Sequence, residues 1–205
     1  GVKERSLATP MGLTFNADGT KLYVAAMGSD RIGVFDTAQL ESDSFAPSAA
    51  AQIPVSGGGP TGVVLDPARD RLYALTRFDN AVSVIALGSG TEIAHLPMPN
   101  PEPATLRNGR RFLYDARLTS SNGEASCAGC HVGGDKDELA WDLGDPLGSV
   151  VANPNPFIAR PGVAPPPVFH SMKGPMTTQT LRGMNNHGPM HWRGDKSGAL
   201  DAGGS

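Results

Sequence analysis

Residues 10–36, PMGLTFNADGTKLYVAAMGSDRIGVFD, and residues 60–85, PTGVVLDPARDRLYALTRFDNAVSVI, are two copies of one pattern. They align without a gap: Pro10 falls on Pro60, Gly12 on Gly62, Leu22 on Leu72 and Tyr23 on Tyr73. Further along, Asp30 meets Asn80, Ile32 meets Val82, Val34 meets Val84 and Phe35 meets Ile85. Apolar side chains two positions apart are kept in both copies, as a half-buried strand requires. A repeat of this length marks an array of like units.

Each copy carries the same parts. Short strands at 12–15 and 62–65 precede tight turns at Asn16-Ala17-Asp18-Gly19 and at 66–70. Second strands follow at 21–25 and 71–75. After polar turns at Gly28-Ser29-Asp30 and Phe78-Asp79-Asn80, third strands run 31–35 and 81–85, and fourth strands are readable at 51–55 and 92–96. Four antiparallel strands per unit make one propeller blade. An open two-blade sandwich is the competing arrangement, but it leaves apolar sheet faces bare.

The two quoted stretches resemble the YVTN or lactonase-like β-propeller repeats of bacterial surface and periplasmic proteins, with Tyr23-Val24-Ala25 where that family's eponymous segment lies. The resemblance covers about half the chain and implies two blades in residues 1–100. Closure of the ring would then need the remaining propeller blades, from a longer chain or from a partner chain.

At 97–103 the sequence Pro-Met-Pro-Asn-Pro-Glu-Pro is a stiff connector, so a second domain is expected over residues 101–205. Residues 108–119 read as a short helix or one last strand, and Ser120-Ser121-Asn122-Gly123 turns the chain into Cys127-Ala128-Gly129-Cys130-His131. Two thiols separated by two residues and followed by an imidazole form the attachment pattern of haem c. On a helical turn this spacing puts both sulfurs on one side, with His131 as proximal ligand of the iron. A zinc site would need two further ligands from a chain with only these two cysteines, and a thioredoxin-like pair would need a βαβ setting that is absent.

GRRFLYDARLTSSNGEASCAGCH, ending at His131, resembles the opening of the di-haem cytochrome c peroxidase and MauG-like family. Residues 174–183, GPMTTQTLRG, and 191–195, HWRGD, resemble that family's later motifs. The resemblance implies a mainly α, loop-rich cytochrome c domain after the all-β propeller blades, hence a multidomain chain. It also puts Trp192 where a tryptophan lies between two haems and can relay electrons. The family carries a second haem further along, whereas this chain has one such motif. Electron transfer is therefore the expected function. The alternatives are peroxide reduction or partner oxidation with a second haem, and a propeller that binds or scaffolds with the cytochrome attached.

The sixth iron ligand separates relay from reactivity. Its candidates are His170, Met172, Met176, Met184, His187, Met190 and His191; Met176, Met190 and His191 lead because they stand in the family-like segments or beside Trp192. Arg110, Arg111, Arg182 and Arg193 read for the most part as solvated surface, with pairing to haem propionates the alternative. His95 reads as an edge histidine of a fourth strand, and Asp135-Lys136-Asp137-Glu138 as a solvated loop able at most to form a calcium site.

Composition sets the outer bounds. The 205 residues include 26 glycines and 18 prolines, which favours short elements joined by turns. A formal net charge of −3 with scattered basic residues gives no footprint for nucleic acid. No apolar run is long enough to span a membrane, and Gly1-Val2-Lys3-Glu4-Arg5 lacks a signal peptide's apolar core. Haem attachment through thioethers implies export, so a periplasmic or extracellular bacterial location and a redox partner protein or a second haem are expected.

Overall fold

A computed structural model describes residues 1–142, 145, 147–152, 168–169 and 175–184. The chain forms two compact units, Gly1–Cys130 and His131–Ser205.

The first unit holds two four-stranded antiparallel meanders. Strands β1 (Pro10–Phe15), β2 (Lys21–Ala26), β3 (Arg31–Asp36) and β4 (Gln52–Pro54) form one sheet in sequence order, and β5 (Pro60–Asp66), β6 (Arg71–Thr76), β7 (Ala81–Ala86) and β8 (Thr91–Pro97) the other. All eight match the strands expected from alternation to within two residues. The repeat extends to its irregularities. Both first strands break register at their start, between Pro10 and Leu13 and between Pro60 and Gly62. Both second turns end on a left-handed residue, Asp30 at φ 54° and Asn80 at φ 58°. Aspartate and asparagine tolerate that conformation because their short polar side chains bond locally.

One face of the first sheet packs on one face of the second. Ile32, Ile53, Val55, Leu72, Ala74 and Ile85 are buried between them, with Tyr23, Val34, Val63, Leu65 and Leu87 around the margin. Full burial of each large aliphatic side chain contributes about 1.5–3 kcal/mol. The strands β1 and β5 approach so closely that a Cβ on Gly12 would lie 2.7 Å from the Thr61 carbonyl oxygen. The second sheet's outer face stays open, with Val64 62% and Leu96 54% exposed.

Short helices α1 (Val2–Arg5) and α2 (Thr37–Glu41) flank the first sheet. Beyond the connector, the helix-or-strand ambiguity resolves as helix: α3 spans Ala104–Tyr114. Pro103 sets its start, and the segment lacks the β-branched run a strand would favour. Asp115 ends α3 and caps α4 (Ala116–Thr119), its carboxylate accepting from the Leu118 N–H at 3.1 Å. Leu106 and Phe112 of α3 are 63% and 69% exposed, so this helix is held by polar contacts rather than by a buried apolar face. Arg110 donates to the Arg77 carbonyl at 3.0 Å and pairs with Glu102, while Arg111 reaches Asp30 at 2.9 Å.

In the second unit the described elements are a 3₁₀ turn at Val132–Gly134 and four two-residue strands: β9 (Ala140–Trp141), β10 (Val151–Ala152), β11 (Val168–Phe169) and β12 (Met176–Thr177). Strand β9 pairs with β12, and β10 with β11. The expectation of a mainly helical second part thus meets only α3 and α4 beyond residue 100 among the described residues, both within the first unit. Residues 131–184 carry glycines at 133, 134 and 183 with positive φ, which favours turns over helix there.

Candidate functional site

Cys127 opens a 3₁₀ turn, Cys127–Gly129, that lies against α3. Cys127 is exposed and Cys130 half-buried, and the Cys130 N–H closes the turn on the Cys127 carbonyl at 3.3 Å. Ser126 precedes them with its hydroxyl buried, and that oxygen makes no hydrogen bond among the described residues. A buried hydroxyl without a partner is costly, and this one sits directly before the first thiol in sequence. A Cβ on Gly129 would meet nothing within 4 Å, so the turn is open on that side.

His131 begins the second unit. Its Nδ1 lies 2.8 Å from the Gln179 carbonyl oxygen, and 3.4 Å from that of Asp135. A main-chain carbonyl can only accept, so Nδ1 carries the proton, and it is Nε2 that has the lone pair in the neutral ring. Holding the far nitrogen in this way fixes the tautomer and orientation of an imidazole that ligates a metal.

The segment bearing Gln179 is braced along 131–141. The Leu181 N–H donates to the Gly134 carbonyl at 3.1 Å, and the Thr178 N–H to that of Leu139 at 3.3 Å. Arg182 pairs with Asp135 at 3.3 Å, and β12 places Met176 opposite Trp141 of β9. The Trp141 indole N–H donates to Asp137 at 2.8 Å. Burial raises the Asp137 carboxyl, but hydrogen bonds from Thr178, the Leu139 N–H and Trp141 outweigh it, leaving the pKa below the usual aspartate value.

The acidic run is therefore occupied locally: Asp135 by Arg182, Lys136 by Glu138, Asp137 by Trp141 and Leu139. No group of three or more His, Cys, Asp or Glu side chains among the described residues could hold a metal ion. Of the sequence candidates, His170, Met172, His187, Met190, His191, Trp192 and Arg193 lie outside the described residues. Met176 and Met184 are described and half-buried. Arg110 pairs with Glu102, and Arg111 with Asp30 and Asp115. Sequence reading missed Gln179 and Ser126. The Gln179 contact is made by main chain, so no residue type announces it.

The residues fit a haem c in donor chemistry: two thiols at the attachment spacing, an imidazole with Nε2 available, and an unpartnered hydroxyl beside them. No helix among the described residues is long and apolar enough to cross a membrane.

No family model matches the chain, and no curated protein matches it. Solved structures share part of it. Hydrazine synthase of Kuenenia stuttgartiensis is 24% identical over 43% of this chain and 25% of that one, with a TM-score of 0.37. The periplasmic gluconolactonase of Pseudomonas aeruginosa is 19% identical over 46% of this chain and 27% of its own, with a TM-score of 0.39. The match thus spans about a quarter of each of those chains, and neither likeness assigns an activity.

Proposed function

We propose that this chain is an exported c-type haem protein that transfers electrons, with its two meanders serving as propeller blades that carry the cytochrome segment. Cys127 and Cys130 would hold the haem through thioethers, and His131 would ligate the iron through Nε2. The observation that carries the reading is the 2.8 Å contact from His131 Nδ1 to the Gln179 carbonyl. It holds the proton on the nitrogen facing away from a ligand, and it does so in the residue that follows the second thiol. The bound group would supply a one-electron couple at its iron.

The chain's own part is to fix and orient. The brace along 175–182 keeps the imidazole from rotating, and a stronger hydrogen bond at Nδ1 makes Nε2 the better donor. The α3 helix backs the cysteine turn. Trp192 as a relay, and Met176, Met190 or His191 as sixth ligand, remain part of the reading through the family resemblance of their segments.

The test is mass. The chain, expressed with an export signal in cells that attach haem c, is denatured and weighed intact. The reading expects the added mass of one haem that survives denaturation and disappears in the Cys127→Ser, Cys130→Ser double variant. An unmodified mass in the parent chain overturns it.

A further inference from the structure

His95 stands at the meeting point of four pieces of the first unit. On β8, its Nε2 lies 2.5 Å from Asp79 Oδ2 in the β6–β7 turn, and its Nδ1 lies 3.0 Å from Glu92 Oε1 and 3.2 Å from Ser83 Oγ on β7. Glu92 in turn accepts from the Ser56 N–H at 2.9 Å and the Ser56 hydroxyl at 3.1 Å, on the linker between the sheets. The linker is pressed onto the cluster: a Cβ on Gly57 would lie 2.5 Å from the Asp79 carboxylate and 2.6 Å from the His95 ring.

The cluster reaches α3 through the same turn. Thr76 donates to Asp79 at 2.7 Å; Asn80, next to Asp79, donates to Glu102 at 3.1 Å. Arg110 of α3 grips that turn at the Arg77 carbonyl and also pairs with Glu102, to which Asn80 donates. The charged groups around the ring are then Asp79 from the turn and Glu92 from its own strand. Strand β7 and the linker 55–59 bring no ionisable side chain, and Arg77 is turned to Asn80 and Glu102.

Two carboxylates facing the two ring nitrogens need two donors, and only the doubly protonated imidazole has both. We propose that His95 is a proton-operated latch: charged, it holds Asp79 and Glu92 together and so clamps the inter-sheet linker to the turn that supports α3, and neutral, it releases one of them. Ser83 can donate to a neutral Nδ1, which leaves Glu92 facing a lone pair. The ring is 27% exposed, so protons reach it. Its Ser–His–Asp order is not a nucleophile site, because Ser83 is fully buried.

The electrostatics agree. Burial alone lowers the His95 pKa, but the hydrogen bond and charge of Asp79, then those of Glu92, raise it above the ordinary imidazole value of 6.5. Glu92 sits below its usual value: burial raises it, and hydrogen bonds from Ser83, Ser56 and His95 outweigh that. A raised histidine pKa contributes stability that is complete below 6.5 and is lost as pH climbs through the folded-state value.

Proton NMR of the imidazoles in the full chain, with amide-exchange protection factors for α3, tests the latch. The expected result is a His95 midpoint above 6.5 that falls in Asp79→Asn, and α3 protection that drops as pH rises through the midpoint in the parent chain but is flat in His95→Gln. A midpoint at or below 6.5 overturns the proposal, and so does an α3 profile with the same pH dependence in His95→Gln. Asp79→Asn keeps the shape of the site, so the test holds even where His95→Gln does not fold.

Discussion

The Arg111 guanidinium lies 2.9 Å from Asp30 Oδ2, joining α3 to the first sheet's second turn across 81 residues of chain. The other oxygen of the same carboxylate accepts from the Gly59 N–H at 2.8 Å, so one side chain ties a turn, the linker between the sheets and a helix. Burial raises the Asp30 pKa, and the nearby Asp115 carboxylate adds to it, against the pull of the Gly59 N–H and Arg111.

A raised carboxyl pKa means the fold disfavours the ionised form, so the contribution is favourable at low pH and is lost as pH rises through the folded-state value. Asp30→Asn mimics the neutral form and keeps the oxygen that receives the Gly59 N–H; Asn80 already fills the equivalent left-handed position. Thermal unfolding between about pH 4 and about pH 8 checks this, since that range brackets an aspartate titrating above its usual value. The variant should match the parent at the acid end and be its equal or better at the neutral end. A variant that loses stability steadily as pH rises would contradict the sign.

Gly12 and Gly62 are equivalent in the repeat and should differ under the same substitution. Gly12→Ala puts a Cβ 2.7 Å from the Thr61 carbonyl and 3.1 Å from the Gly62 Cα, forcing β1 and β5 apart. The expected cost is about 1–3 kcal/mol. Gly62→Ala meets only the Leu75 Cβ at 3.9 Å and should be tolerated. Denaturant unfolding of the two variants side by side measures the contrast.

Leu72 is fully buried between the sheets, whereas Val64 on the open outer face is 62% exposed. Leu72→Ala should cost about 2–5 kcal/mol. Val64→Ala should fall within about 0.5 kcal/mol of the parent chain. Equal losses at both sites would mean that the outer face is covered in solution.

The strands were legible because the repeat keeps apolar positions two apart, and Asp30 against Asn80 marked polar turns that the structure shows to end on a left-handed residue in both copies. The limits have physical causes. Residues 108–114 are apolar enough for strand or helix, and only the long-range grip of Arg110 and Arg111 on turns of the two sheets shows where that helix rests. His95 looked like an edge residue because its partners Asp79 and Glu92 are unremarkable in sequence until folding converges them. The haem attachment proposed for Cys127–His131 rests on spacing. What orients His131 is a carbonyl, and main chain carries no signature.

That the His131 contact is main chain has its own consequence. Gln179→Ala retains the acceptor at 2.8 Å, so haem content and reduction potential should stay those of the parent chain. Redox titration checks it; a marked shift in potential would assign the orientation of His131 to the Gln179 side chain instead.

The visible absorption spectrum of the purified chain, oxidised and reduced and then reduced under carbon monoxide, tests the central claim most directly. A c-type haem spectrum that requires Cys127, Cys130 and His131, and whose reduced form is indifferent to carbon monoxide, is the predicted result: the iron then has a protein ligand on both sides and relays electrons. A shifted Soret band under carbon monoxide would contradict the relay in favour of an open, reactive iron, and the absence of any haem band would contradict the haem assignment itself.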